Sequence, residues 1–357
     1  MGSDNLVGIA EIAEMAKVTK QAVSNWRLRY DHFPAPKQDL QSGPVWEREA
    51  METWVKDFKG ETTHVLSFIN LKGGVGKTTT AVAVAEILAE EERKHVLFVD
   101  LDPQTNASVT LISEKTWADM DSKGRTVAQL FADKLNPSQA PKFDISRAIA
   151  HHVSTINDGI ARLDLLASSM RLIDIQDQIP MIALSGNFTA NPLEILKNAI
   201  YPVLDRYDYV IIDCPPSLGT VTKNGLRIST GYIIPTIPDI LSTWGIYQII
   251  DNTNRFSNDT GRALEALGIV ATKVQGNNLH RRVIEDLKAR RLGDFGKPGA
   301  LPQPPLFANT VPQTVAVARG ADVDADIRTF KGKYGLAYEP LRGLAKEIQE
   351  LCEKKKP

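Results

Sequence analysis

The stretch Val65-Leu66-Ser67-Phe68-Ile69-Asn70-Leu71-Lys72-Gly73-Gly74-Val75-Gly76-Lys77-Thr78-Thr79 decides the fold of this chain. A short apolar run meets a glycine-rich turn, and the turn opens a helix expected from about Lys77 to Glu92. Strand, glycine turn and helix in that order make a phosphate cradle. Glycines let the backbone N–H groups of Gly73, Gly74, Val75 and Gly76 converge on phosphate oxygens, and the helix N-terminus adds partial positive charge. In such a cradle Lys77 pairs with the β- and γ-phosphates of ATP and the Thr78 hydroxyl coordinates Mg²⁺, with Thr79 beside them. The plain P-loop pattern is not fully met, because its first glycine falls on Leu71.

Outward from the cradle, strand and helix patterns alternate. Further strands are expected at Val96–Asp100, Leu163–Leu166, Tyr209–Asp213, Tyr232–Ile234 and Ile269–Ala271, with helical segments between them. Near-continuous apolar strands separated by helices point to an α/β fold with a mostly parallel sheet flanked by helices. The Gly- and Pro-rich stretch from Gly293 to Pro305 reads as a surface loop, and no internal repeat is present.

With Lys72 ahead of the glycines and the first glycine missing, the block resembles the deviant Walker A family, which includes ParA, MinD, nitrogenase iron protein and the arsenite-pump ATPases. The resemblance implies that Lys72 reaches across an ATP-bound homodimer to the partner's nucleotide, much as an arginine finger does. Val99-Asp100-Leu101-Asp102-Pro103-Gln104 matches the ParA switch segment. That match implies that Asp102 positions or activates the attacking water and that Asp100 sits near Mg²⁺. Asp213-Cys214-Pro215-Pro216-Ser217 is similar to the family's Walker B segment, with Asp213 serving the metal. Ile234-Pro235-Thr236-Ile237-Pro238 resembles the strand leading to the adenine pocket, which makes Pro238 a base contact. Leu306-Phe307, Asn309-Thr310-Val311 and Ala316 to Gly320 echo the family's last strand and helix. The likeness to ParA runs from the cradle almost to the C-terminus.

Residues 1–59 read as a separate module joined by a linker at 60–63 to an ATPase domain over 64–357. Helical spacing at Ile9 to Ala16, a turn at Lys17-Val18, a cap at Thr19 and a second helix from Lys20 to about Tyr30 give a helix-turn-helix pattern. Turn and strand material follows, and Glu47 to Phe58 closes the module as a third helix. The module resembles MerR- and AlpA-type DNA-binding units. Lys20, Gln21, Ser24, Asn25, Arg27 and Arg29 on the second helix suit base edges and phosphates. Trp46 and Trp54 are expected in its core.

Formal charge is uneven: residues 1–59 carry −1, residues 60–259 carry −6 and residues 260–357 carry +6. The last quarter holds Arg281, Arg282, Lys288, Arg290 and Arg291, a cluster suited to salt-sensitive contact with DNA phosphates, although Glu285 and Asp286 interrupt it. Around Gln275-Gly276-Asn277 the sequence departs from relatives that carry an arginine there.

No apolar run approaches the roughly 20 residues of a membrane span. The N-terminal residues predict no secretory signal, and two cysteines argue against a disulfide framework or metal cluster. These features predict a cytoplasmic protein, and the resemblance makes it nucleoid-associated and not membrane-bound. The implied function is a DNA-partition ATPase with slow basal turnover. It would dimerise on ATP, bind DNA without sequence preference, and be released when a ParB-like centromere-binding protein triggers hydrolysis. Autoregulation of its operon is a further expectation. The rivals are an ATP-switched transcription regulator and a MinD-like membrane-positioned ATPase. The latter would need Leu341, Leu344, Ile348 and Leu351 as a membrane anchor, but that stripe lacks bulky aromatics and suits core packing better.

Overall fold

A computed structural model describes residues 5–16, 20–29, 33–40, 43–57, 63–136, 139–179, 191–291, 295, 301–314 and 328–354. The expected cap at Thr19, the turn at Lys17-Val18, most of the linker, much of the Gly293–Pro305 stretch and the segment from Ala316 to Gly320 lie outside the described residues. The chain forms two compact units: Met1–Thr63 with Tyr201–Asp208, and His64–Ile200 with Tyr209–Lys355.

In the first unit, β1 (Leu6–Val7), β2 (Gln38–Leu40) and β3 (Gly43–Glu47) form an antiparallel sheet in the order β1-β3-β2. The helices are α1 (Ile9–Met15), α2 (Lys20–Arg29) and α3 (Arg48–Asp57). Val7, Ile12, Val23, Phe33, Trp46, Met51 and Trp54 form its core. Phe33 packs edge-on against both tryptophans, and the Trp46 indole N–H donates to the Pro34 carbonyl at 2.8 Å. This satisfies the indole's only polar atom, so Trp46 is buried without a penalty. Both tryptophans are therefore core residues, as expected.

The second unit is built on β4 (His64–Phe68), β5 (Val96–Asp100), β6 (Ile149–Ala150), β7 (Leu163–Leu166), β8 (Tyr209–Asp213), β9 (Gly231–Thr236) and β10 (Glu265–Ala271). Their order is β10-β9-β4-β8-β5-β7-β6, parallel throughout except for β6. Every residue of β5, β8 and β9 is buried, which explains why these strands read as unbroken apolar runs rather than as alternation.

Between the strands lie α4 (Lys77–Glu90), α5 (Asn106–Ile112), α6 (Glu114–Ser122), α7 (Val127–Leu135), α8 (Ile145–Ala148), α9 (Leu172–Gln178), α10 (Ile195–Ile200), α11 (Thr220–Ile228) and α12 (Ile240–Thr260), and α13 (Asn278–Lys288) follows β10. After them come α14 (Phe330–Tyr334) and α15 (Tyr338–Lys354). Small side chains let α4 pack on all sides, and it is buried almost around its circumference. Helix α15 lies against it with Leu341, Leu344 and Ile348 in the core, so the stripe weighed as a membrane anchor is packing surface. Among the described residues, no helix is long and apolar enough to cross a membrane.

Residues 306–312 extend the β10 side: Leu306 bridges Ile269 and Pro312 bridges Val274 in parallel fashion. The chain ends of β4, β5 and β8 meet at one edge of the sheet. In open α/β sheets this carboxyl edge is where ligands bind.

Candidate nucleotide site

Strand β4 stops at Phe68 because the backbone must turn sharply into α4. Gly74 and Gly76 adopt φ of +72° and +80°, the left-handed region that side chains with a Cβ avoid. An added Cβ at Gly73 or Gly74 would meet nothing within 4 Å, so the concave face of the turn is open. At Gly76 the Cβ would touch the Thr272 side chain at 3.6 Å. That threonine donates its hydroxyl to the Val75 carbonyl at 2.6 Å, pinning the turn from the end of β10. The Thr80 hydroxyl and amide both return to the Gly76 carbonyl and start the helix.

The turn opens onto a cavity of about 520 Å³ lined by Gly73, Gly74, Gly76, Lys77, Thr78 and Thr79. Asp102 and Gln104 border it from the end of β5, and Lys273, Lys333 and Tyr334 from the C-terminal part of the chain. Sequence reasoning missed these last three, because nothing in the local patterns around them differs from an ordinary helix or strand end.

Two carboxylates stand at the same level of neighbouring strands, since Asp100 and Asp213 are register partners in the β5–β8 pair. The Thr78 hydroxyl donates to Asp213 Oδ2 at 2.6 Å. Asp100 accepts the Asp102 amide at Oδ1, and at Oδ2 the amide and hydroxyl of Ser108 at 2.9 and 2.7 Å. Asp102 in turn accepts the Gln104 amide at 3.0 Å and remains on the cavity wall.

Burial pushes Asp100 up to about 8, the neighbouring Asp213 charge adds to this, and the Ser108 bonds oppose it. Burial likewise raises Asp213 to about 7 against the pull of Lys77 and the Thr78 bond. Two acids held so far from their ordinary range are a usual sign of a functional cleft.

The donor atoms decide whether Mg²⁺ suits this corner. Asp213 Oδ1 is buried with no hydrogen-bond partner, whereas both Asp100 oxygens are engaged. An orphaned carboxylate oxygen beside the Thr78 hydroxyl is an all-oxygen set of the kind this hard cation takes. The residues fit the ion. Asp213 and Thr78 would hold it, with Asp100 bracing the backbone at Asp102 and Ser108 behind them.

Lys72 sits on the rim, with its side chain 42% exposed. Its ammonium donates to Asp239 Oδ2 at 3.1 Å and to the Ser242 hydroxyl at 2.9 Å. Asp239 is the N-cap of α12 and accepts the Ser242 amide at 2.7 Å. Burial would raise the Asp239 pKa, but the Ser242 and Lys72 bonds outweigh it and hold the carboxyl below its usual range. The ion pair joins residues 167 positions apart, which no local sequence pattern indicates. Pro238 is buried but is not among the residues lining the cavity.

The expected DNA contacts fall on two other helices. On α2, Lys20 and Arg27 are exposed, Ser24 donates to the Lys20 carbonyl, and Arg27 lies 5.8 Å over the Trp46 ring. The side chains of Gln21, Asn25 and Arg29 lie outside the described ones. Arg281, Arg282, Lys288, Arg290 and Arg291 are all exposed on α13 and just beyond it, while Val283 and Leu287 face inward. Asn277 caps α13 by accepting the His280 amide at 2.8 Å.

Comparison with known proteins agrees with this geometry. A family model described as an AAA domain, AAA_31, matches residues 63–266. An uncharacterised protein of Mycobacterium tuberculosis is 30% identical over 289 residues, covering 80% of this chain and 78% of that protein. The chromosome-partitioning ATPase Soj of Treponema pallidum is 32% identical over 208 residues, covering 58% and 70%. Among solved structures, a cobyrinic acid a,c-diamide synthase from Mycobacterium smegmatis with bound ADP and magnesium is 26% identical. It aligns with a TM-score of 0.61 over 83% of this chain and 97% of that one. The chain therefore belongs to the AAA_31 family of AAA domains, among the P-loop ATPases of the ParA and Soj kind.

Proposed function

We propose that the chain is a DNA-partition ATPase whose ATP state controls pairing of two copies. ATP and Mg²⁺ are its cofactors, and the cation supplies charge neutralisation at the phosphates when bound. Lys77 and the glycine turn hold the phosphates, Thr78 and Asp213 hold the metal, and Asp102 orients water at the cavity wall. The paired copies carry DNA on the cationic face of α13, at the nucleoid of the cytoplasm, until a ParB-like centromere-binding protein stimulates hydrolysis. The observation that carries this reading is the position of Lys72. It is a second lysine on the rim of the same cradle, fastened to the start of α12 rather than to its own phosphate site.

Lys72→Ala is expected to retain nucleotide binding within a few-fold while losing ATP-driven dimerisation or turnover. Sedimentation velocity with a slowly hydrolysed ATP analogue, together with phosphate release, reads both. Normal dimers with normal turnover would remove Lys72 from the mechanism. A basal rate that rises with DNA and an adjacent-gene partner would separate partition from a simple ATP-dependent regulator.

The first unit supplies a specific-operator function in this proposal. Its support is an exposed cationic edge on α2, with Lys20 and Arg27 facing water. Deleting residues 1–59 is expected to abolish retention of the operator fragment in a gel shift and to leave ATP-dependent binding to random duplex intact. Undiminished operator binding by the shortened chain would assign specificity to the ATPase unit.

A further inference from the structure

Nine residues other than glycine have positive φ among the described residues, and Lys273 is the one of these that lines the nucleotide cavity. Its φ of +49° lies in the left-handed region, which a residue with a Cβ seldom enters. The backbone is clamped on both sides of it. The Thr272 hydroxyl donates to the Val75 carbonyl at 2.6 Å, and the Thr272 amide to the Thr236 carbonyl at 2.8 Å. The Val274 amide donates to the Val311 carbonyl at 3.0 Å, and the Val274 carbonyl accepts the Gln313 amide at 3.1 Å. Unfavourable backbone held in place by its surroundings is found where a side chain must be aimed at a ligand. The Lys273 side chain is exposed, and among the described residues its ammonium has no hydrogen-bond or ion-pair partner.

The strand order tells which part of a nucleotide comes to this wall. Asp213 on β8 and Asp100 on β5 stand on one side of β4, and β9 and β10 stand on the other. A nucleotide with its terminal phosphates against Asp213 and Asp102 extends its sugar and base toward the β9 and β10 side. Lys273 comes just after the end of β10, and its neighbour Thr272 lies beside the turn at Gly76. Pro238, just after the end of β9, is not on the cavity wall. We propose that Lys273 holds the nucleoside, with its ammonium donating to an acceptor on the sugar or the purine and its carbon stem covering the ring.

Lysine offers three donors and no acceptor, so its partner is a sugar oxygen or a ring nitrogen and not the adenine amino group. A phosphate oxygen is the competing acceptor. The phosphates, however, are already served by the N–H groups of the turn, by Lys77 and by the metal corner on the far side of β4. The clamped backbone presets where the lysine stem starts, which lowers the ordering cost when a nucleoside arrives. This role presupposes that the glycine turn binds a nucleotide, and it adds the residue that sets affinity for the nucleoside half.

The test is calorimetric titration of the full chain with ATP, ribose 5-triphosphate and inorganic tripolyphosphate, each with Mg²⁺. Wild type is compared with Lys273→Met, which keeps the stem and removes the donors, and with Lys273→Asn, since asparagine tolerates left-handed backbone. Both variants should lose at least tenfold in ATP affinity and keep tripolyphosphate affinity within about twofold. Lys273→Asn without ligand should melt no lower than wild type. Ribose 5-triphosphate weakened as much as ATP places the acceptor on the sugar; ATP weakened alone places it on the purine. Unchanged ATP affinity in both variants would overturn the role. Equal losses for ATP and tripolyphosphate would overturn it too, by giving the lysine to the phosphates. If both variants melted several degrees lower while all three ligands weakened together, Lys273 would be a structural residue instead. A wild type that bound none of the three would remove the nucleotide site itself, and Lys273 with it.

Discussion

Replacing Lys77 with methionine is expected to lower ATP affinity by at least about a hundredfold, measured by calorimetry, while leaving the unliganded protein folded. Lys77 is almost wholly buried at the first position of α4, and its charge is felt at Asp213, whose pKa it lowers. Methionine keeps the length and apolar stem of the side chain, so packing around the helix start is preserved. What disappears is the point charge facing the phosphates. A close, partly desolvated charge pair couples by about 1.5–7 kcal/mol, and each 1.4 kcal/mol is tenfold in affinity. Without Lys77, Asp213 loses the main influence opposing its burial, so its carboxyl should protonate more readily. Metal binding should therefore weaken along with phosphate binding. ATP affinity equal to wild type would remove the glycine turn from nucleotide binding altogether.

The parts of this site that come from one short stretch of chain were legible beforehand; the parts assembled across the sheet were not. The cradle could be read because strand, glycine turn and helix are consecutive, and left-handed backbone at Gly74 and Gly76 accounts for those glycines directly. Asp100 and Asp213 could be read individually as strand-end acids. That they are register partners on adjacent strands, with one carboxylate fully bonded and the other holding an orphaned oxygen, depends on β8 lying between β4 and β5. No local pattern encodes that strand order. Asp239, which the sequence reading did not single out, caps α12 and also holds Lys72. Pro238, read from a resemblance at a strand end, lies next to that cap and not on the cavity wall. The module before β4 was legible as helices with an aromatic core, because amphipathic spacing and tryptophan burial are local consequences of sequence.

Glu86 was the least legible residue of all, and the second large effect is expected there. It stands in the middle of α4, where its apolar helix neighbours and full burial make a charge costly. Its carboxylate accepts the Lys333 ammonium at 2.7 Å, the Tyr334 hydroxyl at 2.5 Å and the Ser154 hydroxyl at 2.6 Å. Partners almost 250 positions away thus fasten α14 to the helix that carries the P-loop. Lys333→Met should destabilise the protein by about 3–5 kcal/mol, because the carboxylate remains buried without its counter-ion. The melting temperature should fall by on the order of 10 °C in calorimetry, using the few-degrees-per-kcal/mol scaling of larger domains. Glu86→Leu alone should cost at least as much, since it strands an ammonium and two hydroxyls.

The triple replacement Glu86→Leu, Lys333→Met and Tyr334→Phe removes every charge and the buried phenol together. It should recover most of the loss, since replacing a buried ion pair by packed apolar groups is often neutral or better. Ser154 is left with one unsatisfied hydroxyl, so recovery should fall short by about 1–3 kcal/mol. A triple variant no more stable than Lys333→Met would mean that the hydrogen bonds of the cluster hold α14 beyond what apolar packing at the same positions supplies. Lys333 and Tyr334 also line the nucleotide cavity. The same calorimetric series run with ATP and Mg²⁺ should show a smaller ligand-induced rise in the triple variant, where that wall has lost its polar groups.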